Sequence, residues 1–223
     1  MFDRIARRYD FLNHMLSANR DVKWRRQLAD LLPDGENLRV LDLATGTGDQ
    51  LLSLYDCQRV ADGVGIDMAD RMLDIGRKKI SDRGLSDKLQ LRTGDAQQIE
   101  ENDHAFDAVT ISFGIRNMSD VREALAEMFR VLKPGGRALI LEFSLPSNTL
   151  MRRLYLLYLR HILPRLGRAI SGEDGAYRYL NQTIESFPYG DEFCRLMRET
   201  GFTNVADNKL TLGVASIYQG DRP

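Results

Sequence analysis

Four aspartates and a glycine turn carry most of the chemistry legible in this chain. Val40 to Asp49 spells VLDLATGTGD, with Gly46 and Gly48 in the turn and Asp42 and Asp49 on either side. Glycines after a short strand let backbone approach a ligand with no Cβ in the way, as nucleotide-binding turns require. A dinucleotide fingerprint needs a third glycine, and the GxGxxG frame set on Ala44 and Gly46 puts Asp49 in its place. That position opens the next helix, where a pyrophosphate would sit and a carboxylate would repel it. A phosphate-free ligand carrying an ammonium and a sulfonium meets no such repulsion from Asp42 and Asp49. S-adenosylmethionine is that ligand. Asp67 ends the run GVGID about 20 residues beyond the turn, from where a carboxylate can accept both hydroxyls of an adenosine ribose. Met68 follows directly, and is either a packing residue or a face for the base. Asp95 and Ala96 close the next strand, placed for the exocyclic amine of an adenine; a solvated loop acid is the competing reading.

Two further groups could act on a second substrate. Gly114, Ile115, Arg116 and Asn117 follow FDAVTISF, and polar groups just past a strand's carboxyl end face the ligand crevice of an open α/β sheet. Near the start, Tyr9, Asp10, Asn13 and His14 bring a phenol, a carboxylate, an amide and an imidazole onto about one and a half turns of helix. Taken alone, that cluster reads more readily as ordinary surface polarity than as a site.

The elements that must hold these residues follow from periodicity. Phe2 to Leu16 and Trp24 to Leu31 have helical spacing broken near Ser17 to Asn19, which predicts two short helices packed outside a sheet. Strands are expected at Leu38 to Leu43, Gly63 to Asp67, Leu89 to Arg92, Phe106 to Phe113 and Arg137 to Phe143. Helices are expected from about Gln50, over Met68 to Lys79, over Val121 to Leu132, and over 184–200. Lys133, Pro134, Gly135 and Gly136 read as a helix stop followed by a turn. Val205 to Asp207 and Thr211 to Tyr218 suggest a hairpin at the sheet edge. Five βα units and a terminal hairpin, without internal repeats, describe a Rossmann-like α/β fold of the class I S-adenosylmethionine-dependent methyltransferases. The expected sheet is mostly parallel and seven-stranded. One domain is expected over 1–223, with a helical cap at 1–32 and a helical lid over about 146–183.

Composition narrows the partners. With 223 residues and 43% hydrophobic content, the chain can bury one α/β core but is short for two. A net charge of -1 argues against a general nucleic-acid binder. Cys57 and Cys194 have no metal or redox spacing, so no metal is expected and both read as reduced thiols of a cytoplasmic protein. The chain opens without a signal-peptide pattern and holds no uncharged apolar run long enough to span a bilayer. Leu150 to Ile170 differs from the rest: Arg152, Arg153, Arg160, Arg165 and Arg168 stand among Leu, Tyr and Ile with no acid, and Pro164 should kink the helix. Such a segment suits the headgroup region of an anionic membrane, or a lid packed on the protein.

Several stretches together carry a more specific resemblance: YDFLNHMLS at Tyr9 to Ser17 followed by Trp24, LDLATGTGD, SFGIRN at Ser112 to Asn117, RVLKPGGRALILEFS at Arg130 to Ser144, AYRYL at Ala176 to Leu180, and Phe187 with Pro188. The chain resembles the menaquinone and ubiquinone biosynthesis C-methyltransferases over nearly its whole length. It departs at Asp21, where that family usually has histidine. The resemblance implies methyl transfer from S-adenosylmethionine to a ring carbon of a polyprenyl quinol, either demethylmenaquinol or its 2-methoxy-6-polyprenyl-1,4-benzoquinol counterpart. It places cofactor contacts at Thr47, Asp67, Asp95, Ala96 and Ser112, and points to Arg116 and Asn117, with Tyr9 and Asp10 nearby, for catalysis. Peripheral membrane contact through 150–170, and a homodimer or a quinone-biosynthesis complex, fit the same picture. Rival readings are an NAD-dependent oxidoreductase, disfavoured by Asp49; a nucleic-acid methyltransferase, disfavoured by charge and by SFGIRN after strand four; a methyltransferase for another phenolic lipid; and a non-catalytic membrane-associated paralogue.

Overall fold

The computed structural model describes residue 17, residues 19–162, residues 165 and 183, and residues 187–223. The cluster of Tyr9, Asp10, Asn13 and His14, the helix expected before Ser17, Pro164 and half of the lid lie outside the described residues.

Strands β1 (Leu38–Leu43), β2 (Val60–Asp67), β3 (Leu89–Thr93), β4 (Phe106–Ser112), β5 (Leu132–Phe143), β6 (Thr203–Leu210) and β7 (Ala215–Asp221) form one sheet. Its order is β3-β2-β1-β4-β5-β7-β6. All neighbours from β3 to β5 are parallel, and β7 runs antiparallel to both β5 and β6. The chain reverses its winding between β1 and β4, so their carboxyl ends open a crevice where ligands bind in such sheets.

Apolar residues on both faces of the central strands explain why helices cover both sides. Val40, Ala108, Leu139 and Leu141 pack with α1 (Asp21–Asp30), α2 (Asp49–Tyr55) and α3 (Asp70–Asp82) through Trp24, Leu28, Leu51, Leu54 and Leu73. Leu41, Leu43, Val109, Ile111 and Ile140 meet α4 (Val121–Val131) and α6 (Asp191–Thr200) through Leu125, Met128, Phe193 and Met197. Trp24 holds α1 in place: it is buried, packs near Phe113 and Phe143, and donates its indole N–H to Thr211 at 3.0 Å. Between β5 and α6, α5 (Thr149–Leu157) is capped by Asn148, whose side chain accepts from the amides of Leu150 and Met151 at 3.0 and 3.1 Å. It widens into a π-helical turn over Tyr158–Ile162.

Three expectations need correction. The Lys133 to Gly136 turn is an irregularity inside β5, not a separator before it: Leu132 already pairs with Phe106, and regular pairing resumes at Arg137 with Ala108. The amide of Gly135 and the carbonyl of Gly136 bond to Arg222, which satisfies the backbone that the irregularity takes out of the ladder. The hairpin turn falls at Thr211–Gly213, so Thr211 is not in a strand; Thr211 and Leu212 have φ of 45° and 59° there. The helix expected over 184–200 occupies Asp191–Thr200, after Pro188 and Gly190.

Candidate active site

At the carboxyl ends of β1, β2, β3 and β4 lies a cleft of about 350 Å³, walled by Gly46, Asp67, Met68, Asp95, Ala96 and Asn117 among others. The turn after β1 shapes its floor. Gly46 and Gly48 have φ of 57° and 79°, the left-handed region that glycine enters without penalty. Asp67 leaves the end of β2 and braces this floor: its Oδ2 accepts the Gly46 amide and its Oδ1 the Ala69 amide, each at 2.8 Å. Met68 stands beside it, 73% exposed on the cleft, an uncovered thioether surface that suits a flat apolar ring. Asp95 turns the chain after β3, accepting the Gln97 amide at 2.9 Å, and Ala96 is buried against the wall. Gln97 then ties this loop to the one after β4, accepting from the amide and hydroxyl of Ser119 at 3.1 and 2.9 Å.

A smaller recess shares Ala44 and Gly46 with the cleft and is lined by Arg25, Asp42, Thr47, Gln50 and Ser112. Asp42 is 1% exposed and accepts the hydroxyls of Thr45 and Thr110 at 2.7 and 2.6 Å. Burial pushes its carboxyl up to about 6, only partly offset by those two bonds and by the charge of Arg25. Asp49 is not left to attract a cationic ligand, because Lys79 pairs with it at 2.7 Å. Thr47 is buried within the turn, and Ser112 donates its hydroxyl to Gln50 Oε1 at 2.9 Å.

The end of β4 departs from what its sequence suggests. Phe113 adopts φ of 58°, costly for a bulky residue and held only where the surroundings enforce it. Gly114 follows at a point where a Cβ would lie 2.6 Å from that of Ala44, so the β1 and β4 ends approach more closely than side chains allow. Arg116 was expected to face the crevice, but its guanidinium turns back into the fold. Its Nη1 donates to the Phe113 carbonyl at 2.7 Å and to Glu142 Oε1 at 2.6 Å, while the group lies 5.4 Å from the centre of the Phe143 ring. The side chains of this ion pair are 7% and 0% exposed. Burial raises the carboxyl of Glu142, against the lowering influence of Arg116 and of the Phe143 amide. Asn117 does line the cleft, with its amide N 3.4 Å from the same Phe113 carbonyl.

The structure therefore gathers Gly46, Asp67, Met68, Asp95, Ala96 and Asn117 around one cleft, and Asp42, Thr47 and Ser112 around the adjoining recess. It sets Arg116 behind the wall, and Tyr9 and Asp10 lie outside the described residues. Glu142, Gln97, Gln50 and Arg25 were not anticipated. Of these only Glu142 left a signal, a lone carboxylate inside the apolar run of β5.

A phosphate-free adenosyl ligand fits these residues: a carboxylate for ribose hydroxyls, an exposed methionine for a base, and backbone bared by left-handed glycines. Sheet order and site together define a class I S-adenosylmethionine-dependent methyltransferase. Solved structures agree on the fold: a methyltransferase of Methanococcus maripaludis superposes with a TM-score of 0.71 at 18% identity, covering 99% of this chain and 93% of its own. The profile of the ubiE/COQ5 methyltransferase family matches residues 1–222, and the chain belongs to that family. It is 46% identical to the demethylmenaquinone methyltransferase of Thermus thermophilus over 223 residues, all of both chains. It is 42% identical to the ubiquinone/menaquinone biosynthesis C-methyltransferase UbiE of Geobacter sulfurreducens, covering all of this chain and 87% of the relative.

Proposed function

We propose that this protein methylates a ring carbon of a polyprenyl quinol, with demethylmenaquinol as the first candidate and the benzoquinol counterpart as the second. The observation that carries the reading is the cleft whose cofactor wall, Asp67 to Ala96, faces the Gly114 to Asn117 loop, in a chain whose full-length relatives bear the name demethylmenaquinone methyltransferase.

S-adenosylmethionine supplies an electrophilic methyl group when bound. Asp67 would take the ribose hydroxyls, Met68 the adenine face, Asp95 and Ala96 its amine edge, and Thr47, Ser112 and Asp42 the end in the recess. On the acceptor, loss of a phenolic proton puts negative charge on the ortho carbon, which bonds to the methyl carbon as the methyl–sulfonium bond breaks, its electron pair going to sulfur and S-adenosylhomocysteine leaving as the neutral thioether; loss of the ring proton restores aromaticity. A phenol titrates near about 10, so the site must favour the phenolate at neutral pH. Asn117 is the described polar side chain at the substrate end of the cleft. Arg116 acts here as a positioning residue: neutralised by Glu142, it grips the Phe113 carbonyl and fixes the loop that carries Asn117. Tyr9 and Asp10 keep the substrate-side roles that family resemblance gives them, with Asp10 or His14 as proton acceptor. A near-attack arrangement of methyl and ring carbon supplies much of the remaining acceleration.

α5 supports a membrane-facing role for the lid. Leu150, Leu154 and Leu157 are 66%, 52% and 53% exposed and recur on one helical face, near the exposed Arg152, Arg153, Arg160 and Arg165. An apolar strip beside exposed arginines matches an anionic bilayer surface, where a polyprenyl substrate resides. Among the described residues no helix is long and apolar enough to cross a membrane.

The function is tested by incubating the enzyme with S-adenosylmethionine and each acceptor in reduced and oxidised form, read by mass spectrometry. Gain of one methyl on a quinol, with the matching quinone inert, is expected; no product from either quinol would overturn the proposal.

A further inference from the structure

One side chain ties the two walls of the cleft together. Gln97 lies two residues past Asp95, in the loop after β3, and Ser119 lies two residues past Asn117, after β4; all four line the cleft. The Gln97 Oε1 accepts the Ser119 amide at 3.1 Å and the Ser119 hydroxyl at 2.9 Å, while its Nε2 donates to Glu123 Oε2 at 3.1 Å. A backbone N–H can only donate and an ionised carboxylate can only accept, so both ends of this amide are fixed and it cannot flip. The residues it joins are themselves anchored. The backbone N–H of Gln97 donates to Asp95 Oδ1 at 2.9 Å, and Asp120, next to Ser119, caps α4 by accepting the amides of Arg122 and Glu123 at 2.7 and 3.2 Å. Among the described residues no other hydrogen bond joins residues 94–98 to residues 113–120.

We infer that Gln97 is a positioning residue that couples the donor side of the cleft to the acceptor side. A donor seated on Asp95 and Ala96 holds the loop after β3, and through Gln97 it also holds Ser119, two residues from Asn117. Asn117 needs that support, because its side chain makes one long hydrogen bond, 3.4 Å to the Phe113 carbonyl. Order imposed by the first substrate is then order the second no longer has to impose, which is positive coupling between two sites. Linkage is reciprocal, so an acceptor that orders the loop after β4 tightens the donor by the same factor. Ser119 and Glu123 are exposed, which keeps these bonds at the modest end of their range. The role depends on the quinol-methylation reading above and adds to it the residue through which the two substrates communicate.

Calorimetry on a complex that cannot react measures the coupling. S-adenosylhomocysteine has no methyl group to give, so its affinity can be titrated at equilibrium with and without demethylmenaquinol kept reduced under argon. In the parent, the quinol should tighten S-adenosylhomocysteine by about fivefold, the lower end of couplings between sites. In Gln97→Ala that factor should fall to about one while S-adenosylhomocysteine alone still binds. Ser119→Ala removes the hydroxyl and leaves the backbone N–H, and should keep part of the factor. A glutamine that merely supported the fold would weaken both ligands and leave their coupling intact. An unchanged factor in Gln97→Ala would therefore overturn the inference, and so would a parent in which the two ligands bind independently. Failure of the parent to bind S-adenosylhomocysteine or demethylmenaquinol at all would instead count against the quinol-methylation reading itself.

Discussion

Asp67 does two jobs with one carboxylate. Its oxygens fix the Gly46 and Ala69 amides at 2.8 Å, and the same group forms the cleft wall at the end of β2. Removing it would strip both the bracing of the glycine floor and an acceptor for ribose hydroxyls. Asp67→Ala should weaken S-adenosylmethionine binding by roughly ten- to a hundredfold, the worth of one to two charge-assisted hydrogen bonds, with Asp67→Asn intermediate because one amide keeps an acceptor. Isothermal titration of both variants checks this, and affinity equal to the parent's would remove Asp67 from the cofactor site. Arg116 illustrates the opposite case. Its position after β4 pointed to the crevice, yet a buried carboxylate 26 residues away draws it inward. Removing Glu142 alone would leave a nearly buried guanidinium uncompensated, the costly way of breaking such a pair.

At the scale of elements, strand ends and turns decide where chemistry can happen. β1, β2 and β4 were legible because continuous apolar runs bounded by glycine or acid admit few other structures, and the residues proposed for the cofactor lie around the cleft at the strand ends. Arg116 was not, since its orientation depends on Glu142, a pairing that no local pattern encodes. Lys133 to Gly136 misled for a related reason: proline and glycines that mark a turn in isolation are accommodated within β5, with Arg222 supplying the missing backbone partners. The position of Arg25 in the recess likewise depends on Trp24 docking α1 onto the strand ends, a tertiary event. α5 carries its own consequence, an apolar strip with no described partner. Replacing Leu150 and Leu154 by Glu should cut co-sedimentation with phosphatidylglycerol vesicles several-fold, since each change removes apolar area from the contact and adds a repelled charge. Donor binding should be unaffected. Sedimentation of the double variant equal to that of the parent would rule out this face as the membrane contact.

At the scale of the molecule, the proposed function assigns the two substrates to different strand ends of one sheet. In the proposed arrangement the donor lies along the ends of β1, β2 and β3, whose residues line the cleft. The proposed acceptor end of the cleft is the loop after β4, with Asn117 in its wall. Net charge near zero and a locally basic lid suit a protein that meets an anionic surface through one face rather than by general attraction. The proposed function turns on transfer of the methyl group to carbon. It is tested most directly by supplying S-adenosylmethionine labelled with ¹³C in its methyl group, together with demethylmenaquinol, and locating the label in the product by NMR. A methyl carbon bonded to a ring carbon is expected; a methyl carbon bonded to oxygen, or label absent from the quinol, would contradict the proposed function.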